Sequence, residues 1–183
     1  MSNNSIVVNF VGGPGSGKTA LCCLLFAELK MRGMKVEYVP EVAKSLVWTQ
    51  QYELLNNQHY VTMQQYEILN AVYGKVNIVV TDGPIIHGIY YNRHNSGNYC
   101  DIEKVEKLIL EKMKNFNNIF IHVTKGDFPY EQAGRLETEE QSNQVGKELK
   151  CILDANNLSY KCITSGRDAL NDILEYVFKQ LST

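Results

Sequence analysis

Eight consecutive residues, Gly12-Gly13-Pro14-Gly15-Ser16-Gly17-Lys18-Thr19, match the pattern G-x-x-x-x-G-K-[ST] in full. The chemistry such a run serves is the holding of a polyphosphate. Its glycines let successive backbone N–H groups turn inward, and a following helix adds the positive end of its dipole. Lys18 is expected to reach the β- and γ-phosphates, and Thr19 to set its hydroxyl on Mg²⁺. The expected contacts to ATP are Gly13, Pro14, Gly15, Ser16, Gly17, Lys18, Thr19 and Ala20.

A magnesium site needs a further oxygen donor from another strand. Asp82 follows the apolar run Ile78-Val79-Val80-Thr81 and is the expected partner of Thr19 in arranging the metal, directly or through water. An aspartate before Gly83-Pro84 also suits a turn. Phosphoryl transfer further requires cations around the transferred group. The chain has four arginines, and Arg32 is accounted for by the last turn of a helix. Arg135 is expected on a lid, Arg167 beside the adenine, and Arg93 beside the acceptor.

Glu41 ends a strand at the same edge, where a carboxylate can orient or deprotonate an attacking hydroxyl. The helix dipole is the other reason for a glutamate there. Gln64 and Gln65 fall on adjacent helix faces, so one at most enters a given pocket. Gln64 is the candidate for reading the acceptor, since an amide offers a donor and an acceptor side by side. Tyr38, Trp48, Tyr60 and Tyr66 suit stacking and core packing equally. The histidines, His59, His87, His94 and His122, show no metal-ligand spacing.

These residues need elements to hold them. Periodicity predicts strands over residues 5–11, 35–39, 77–81, 118–123 and 160–164. Helices are predicted over 18–32, 41–51, 57–73, 101–114, 138–156 and 167–181. Such alternation implies parallel crossovers, hence an α/β fold of three layers around a five-stranded parallel sheet. Two irregular stretches, an acceptor loop at 84–100 and a lid at 125–141, follow strand ends, the edge where open α/β sheets bind ligands. The whole of residues 1–183 is expected to form one domain.

Composition narrows the class. The charged fraction is 21% with a net charge of −2, which argues against a surface built for phosphate backbones. Five cysteines without a Cys-x-x-Cys pair disfavour a disulfide framework or a zinc site and point to a reducing, cytoplasmic setting. No apolar run reaches the ~18 residues of a membrane span.

The order of elements, with Pro40-Glu41 after the second strand, Asp82 after the third and Arg135 in the lid, resembles small P-loop nucleoside and nucleotide kinases. It looks closest to the phage and bacterial P-loop proteins grouped with the ribosylnicotinamide kinase domain. Their lid arginine followed by Thr-Glu-Glu is met by Gly134-Arg135-Leu136-Glu137-Thr138-Glu139-Glu140. Val61-Thr62-Met63-Gln64-Gln65-Tyr66 resembles the base-reading helix of deoxynucleoside kinases, whose glutamate after strand two acts as base. Their Glu-Arg-Ser after strand three is replaced here by Asp82-Gly83-Pro84. The resemblance implies an ATP- and Mg²⁺-dependent kinase acting on a small nucleoside-like acceptor.

Three alternatives stand beside it. Thr124-Lys125-Gly126-Asp127 resembles the guanine-specificity motif of GTPase switches, yet no Asp-x-x-Gly follows the third strand. A kinase acting on a hydroxymethylated base in DNA would share the core, but the chain has no Lys/Arg cluster for nucleic acid. A plain ATPase would need no acceptor. No membrane partner is expected, and a dimer is compatible with the sequence.

Overall fold

The computed structural model describes residues 5–181. Five strands, β1 (Ile6–Val11), β2 (Val36–Val39), β3 (Ile78–Thr81), β4 (Asn118–Thr124) and β5 (Tyr160–Thr164), form one sheet in the order β2-β3-β1-β4-β5. Every pairing is parallel. The helices are α1 (Lys18–Met31), α2 (Val42–Trp48), α3 (Tyr52–Asn56), α4 (Gln58–Val72), α5 (His87–His94), α6 (Ile102–Met113), α7 (Glu139–Ala155) and α8 (Ala169–Leu181).

The central strand explains the layering. Every residue of β1 is buried, as a parallel strand covered on both faces requires. Its even-numbered side chains, Ile6, Val8 and Phe10, pack with Leu21, Leu25 and Leu29 of α1 and Ile173 and Val177 of α8. Val7 and Val11 point the other way, into a layer with Leu69 of α4, Ile109 of α6 and Leu149 of α7. Residues on alternate faces thus bind the two helical layers to one strand. Because β1 lies between β3 and β4, its C-terminal end opens at the point where the connections diverge to opposite sides.

Residues 84–100 are not a continuous loop, since α5 occupies His87–His94. Its sequence, HGIYYNRH, mixes glycine, asparagine and β-branched or aromatic residues that do not favour a helix on their own. Packing decides instead: His87, Ile89 and Asn92 are buried, and the helix lies against α6 and α7. The short α3 likewise divides the connection between the two helices expected after β2. Residues 125–138 contain neither helix nor strand, and Thr138 and Gln141 form a capping box that starts α7.

Candidate active site

The chain leaves β1 at Val11 and enters α1 at Lys18, so Gly12 to Gly17 form the turn between them. Gly15 and Gly17 have φ of +74° and +98°, a left-handed backbone that side chains resist. Space is closed as well. A Cβ on Gly15 would stand 2.5 Å from the Tyr130 ring, and one on Gly17 2.7 Å from Ser165. The Lys18 ammonium is buried and donates to the carbonyls of Gly12 at 2.8 Å and Gly13 at 2.9 Å. Burial lowers its pKa, and the nearby carboxylates of Glu41 and Asp82 oppose that shift.

Two neighbours shape the loop from outside. The Ser142 hydroxyl of α7 donates to the Pro14 carbonyl. His87 Nε2 accepts the Gly12 N–H at 3.3 Å, a role that needs the neutral imidazole, and burial pushes its pKa well down. The Ser16 hydroxyl is buried with no partner. A glycine turn with two left-handed residues, a buried lysine and an unpartnered Ser16 hydroxyl at a helix N-terminus fit a polyphosphate.

Thr19 and Asp82 meet as the spacing predicts. Thr19 Oγ1 donates to Asp82 Oδ2 at 2.5 Å, and the Tyr38 hydroxyl donates to Asp82 Oδ1 at 2.9 Å. Tyr38 is pushed above the ordinary phenol range by burial first and then by the Asp82 charge, so it stays a donor. Threonine hydroxyl and aspartate carboxylate are hard oxygen donors of the kind that hold Mg²⁺ beside phosphates.

Glu41 caps α2 at the end of β2, and burial pushes its carboxyl up to about 7, against the opposing pull of Lys18. The turn that presents it is held by Gln65. That buried amide accepts the Val42 N–H at 2.9 Å and donates to the Pro40 carbonyl at 3.2 Å. Gln64, the candidate reader of the acceptor, points away and bonds Glu67 at 3.3 Å on the exposed face. The reason is the register of α4. Its buried stripe is Gln58, Thr62, Gln65 and Leu69, and Gln64 lies off it.

Arg135 stands over the phosphate loop. Its Nε lies 3.3 Å from the space above Gly15, and its guanidinium covers the Tyr130 ring with 5.4 Å to the centroid. One nitrogen, Nη1, is buried without a hydrogen-bond partner, and Glu131 is 3.7 Å away. The lid is laced by its own bonds: the Tyr130 hydroxyl donates to the Glu137 carbonyl at 2.8 Å, and the Gln132 amide donates to the same oxygen at 3.0 Å. Gly134 lies against Trp48 of α2, which ties the lid to the Glu41 side.

A cavity of about 810 Å³ joins these parts, lined by Lys18, Thr19, Glu41, Gln65 and Arg135 and walled by α2, α4, α5 and the lid. Arg93, Arg167 and Asp127, like Gln64, are not among its lining residues. Arg93 makes a bidentate pair with Glu106 of α6 at 2.6 and 2.8 Å, with half its side chain exposed. Placing 87–94 on a helix turns it outward. Arg167 follows β5 as expected but is exposed and away from the cavity lining. Asp127, of the guanine-type motif, is exposed too, while Lys125 is held by Glu139 at 3.0 Å.

Conversely, Tyr38, His87 and Gln65 take part although sequence reasoning assigned them no such role. The one available signal was the Gln64-Gln65 pair itself, which required a choice of face.

Residues 7–168 match the family described as AAA domain. No curated protein matches the sequence. Among solved structures, thymidylate kinase from Ehrlichia chaffeensis superposes with a TM-score of 0.59 at 18% identity, covering 97% of this chain and 98% of that one. At that identity the likeness is one of fold, and it agrees with a parallel sheet carrying a phosphate loop after its central strand. With the family match spanning the loop, Glu41, Asp82 and the lid, the chain belongs to the AAA-domain family of P-loop nucleoside-triphosphate-binding proteins.

Proposed function

We propose that the protein is a phosphotransferase that moves the γ-phosphoryl group of ATP to a small nucleoside-like acceptor. One observation carries this reading: the phosphate loop and the half-buried Glu41 carboxyl open into the same cavity, beneath a lid bearing Arg135. A plain ATPase has no use for a second half of that cavity, walled by α2, α4 and α5.

The backbone of Gly13 to Ala20 and the Lys18 ammonium would hold the donor's phosphates. Thr19 and Asp82 would hold Mg²⁺, which supplies charge neutralisation to the phosphate oxygens when bound. Tyr38 fixes one Asp82 oxygen and so sets the direction of the other. Gln65 fixes the turn from which Glu41 reaches the acceptor.

Glu41 orients the acceptor hydroxyl and takes its proton, and a carboxyl near 7 is well matched to that task at neutral pH. Arg135 neutralises charge that grows during transfer, and the lid excludes water that would hydrolyse the donor. The lid tie at Trp48 couples closure to the acceptor side.

The test is a transfer screen with γ-labelled ATP and Mg²⁺ against nucleosides, nucleoside monophosphates, ribosylnicotinamide and DNA carrying hydroxymethylated bases, with GTP as a parallel donor. Label on a small acceptor supports the reading. Label on DNA alone transfers the activity to a polymer substrate, and hydrolysis without any labelled acceptor refutes the kinase assignment.

A further inference from the structure

Two buried histidines stand close enough to influence one another beside the phosphate loop, and their ring nitrogens are used differently. His122 of β4 donates Nε2–H to the Gly146 carbonyl of α7 at 2.9 Å. Its Nδ1 is enclosed without a partner, out of reach of a ligand. His87 opens α5 and lines the cavity. Its Nε2 accepts the Gly12 N–H at 3.3 Å, so the single ring proton of the neutral form sits on Nδ1. A second proton is opposed by burial, by the Lys18 ammonium and by the His122 ring.

The His87 Nδ1–H has no acceptor among the described residues, yet it is not one of the enclosed polar atoms. With one nitrogen tied to the loop and the ring lining the cavity, the other nitrogen is a fixed donor to whatever fills that space.

Position along the loop decides what that donor meets. Lys18 Nζ rests on the Gly12 and Gly13 carbonyls, so this end of the loop carries the ammonium that holds the β- and γ-phosphates. His87 bonds the amide of the same Gly12. On the other side α5 walls the acceptor half, with Gly88 and Tyr91 following in the lining. Arg93, the only arginine between β3 and α6, faces Glu106 instead. His87 is thus the group that the connection after β3 sets between the phosphate loop and the acceptor side.

We propose that His87 is a catalytic hydrogen-bond donor, its Nδ1–H binding a non-bridging oxygen of the phosphoryl group in flight while Gly12 holds the ring in that tautomer. This rests on the kinase reading above. The acceptor oxygen bonds the γ-phosphorus as the bond from phosphorus to the ADP oxygen breaks, and the acceptor proton passes to Glu41. His87 keeps its own proton throughout. A neutral donor stabilises charge on the transferred oxygens without packing a second cation against Lys18.

Two amides separate the ring nitrogens, because glutamine reaches to the position of Nε2 and asparagine only to that of Nδ1. His87→Gln keeps an acceptor for Gly12 and loses the cavity donor, whereas His87→Asn keeps the donor and releases the loop. Transfer is measured with γ-labelled ATP and the acceptor found by screening. His87→Gln should lower kcat by about 10²-fold, the scale of removing one preorganised donor, with nucleotide affinity within about threefold of wild type. His87→Asn should melt at a lower temperature and keep kcat within about tenfold. Equal loss of kcat in both variants, or none in His87→Gln, overturns the inference and leaves the kinase reading standing.

Nitrogen NMR of the full chain labelled at histidine gives a readout without turnover. The signal missing from His87→Gln should show a protonated Nδ1 and a bare Nε2 between about pH 6 and 8. Its Nδ1 should shift when a non-hydrolysable ATP analogue and Mg²⁺ are added. An Nε2–H tautomer, an imidazolium or an unmoved signal overturns the inference. Wild-type protein that labels no acceptor overturns both it and the kinase reading.

Discussion

Replacing Glu41 with glutamine keeps the shape of the protonated side chain and removes its ionisation. In the folded protein this carboxyl is raised from an ordinary 4.5 to about 7, chiefly by burial. The folded chain therefore holds the proton more tightly than the unfolded chain does. The ionised form costs stability in full above about 7, and the cost fades as the pH falls towards 4.5. At about 1.4 kcal/mol per pH unit, that interval corresponds to about 3 kcal/mol. Glu41→Gln should recover it, which for a chain of this length is a rise in Tm of roughly 6–12 °C. Urea unfolding of both proteins without nucleotide, at about pH 8.5 and about pH 4.5, measures the effect. The variant should be more stable at the higher pH, and the two curves should converge at the lower one. A gain of equal size at both pH values, or none at the higher, would refute the burial argument. The same variant should bind ATP and fail to transfer it, a site carboxylate kept at the expense of stability.

Two further substitutions separate the lid from the surface. Arg135→Ala should lower kcat by about 10²-fold with a much smaller loss of ATP affinity, read from steady-state kinetics and nucleotide titration. Equal losses in both would make Arg135 a ground-state contact. Arg93→Ala should leave transfer unchanged and shift stability by less than ~1 kcal/mol, because its pair with Glu106 is exposed. A raised KM for the acceptor would return Arg93 to the site.

Much of this arrangement is legible in the chain. The glycine–lysine–threonine run declares its own geometry, and the β-branched runs beside it can only be buried strands, as the fully buried β1 shows. Asp82 is legible because a strand end fixes where its carboxylate must stand relative to Thr19. Periodicity fails where it carries no contrast. The buried stripe of α4 begins Gln58, Thr62, Gln65, so polarity cannot mark its inner face, and Gln64 is chosen as readily as Gln65. The helix α5 forms against its own weak propensity through packing on α6 and α7, and that packing is what carries Arg93 away from the cavity. Tyr91 and Glu137 both line the cavity although 46 residues of chain and an irregular lid lie between them, an arrangement no local pattern encodes.

The most direct measurement is single-turnover transfer from γ-labelled ATP to the acceptor found by screening, comparing the wild-type chain with Lys18→Ala. Label should pass to the acceptor with the wild type and fall by at least ~10²-fold in the variant, the scale of losing one preorganised charge contact. Transfer undiminished by the loss of Lys18, or label appearing only as inorganic phosphate, would contradict a phosphotransferase built on this loop.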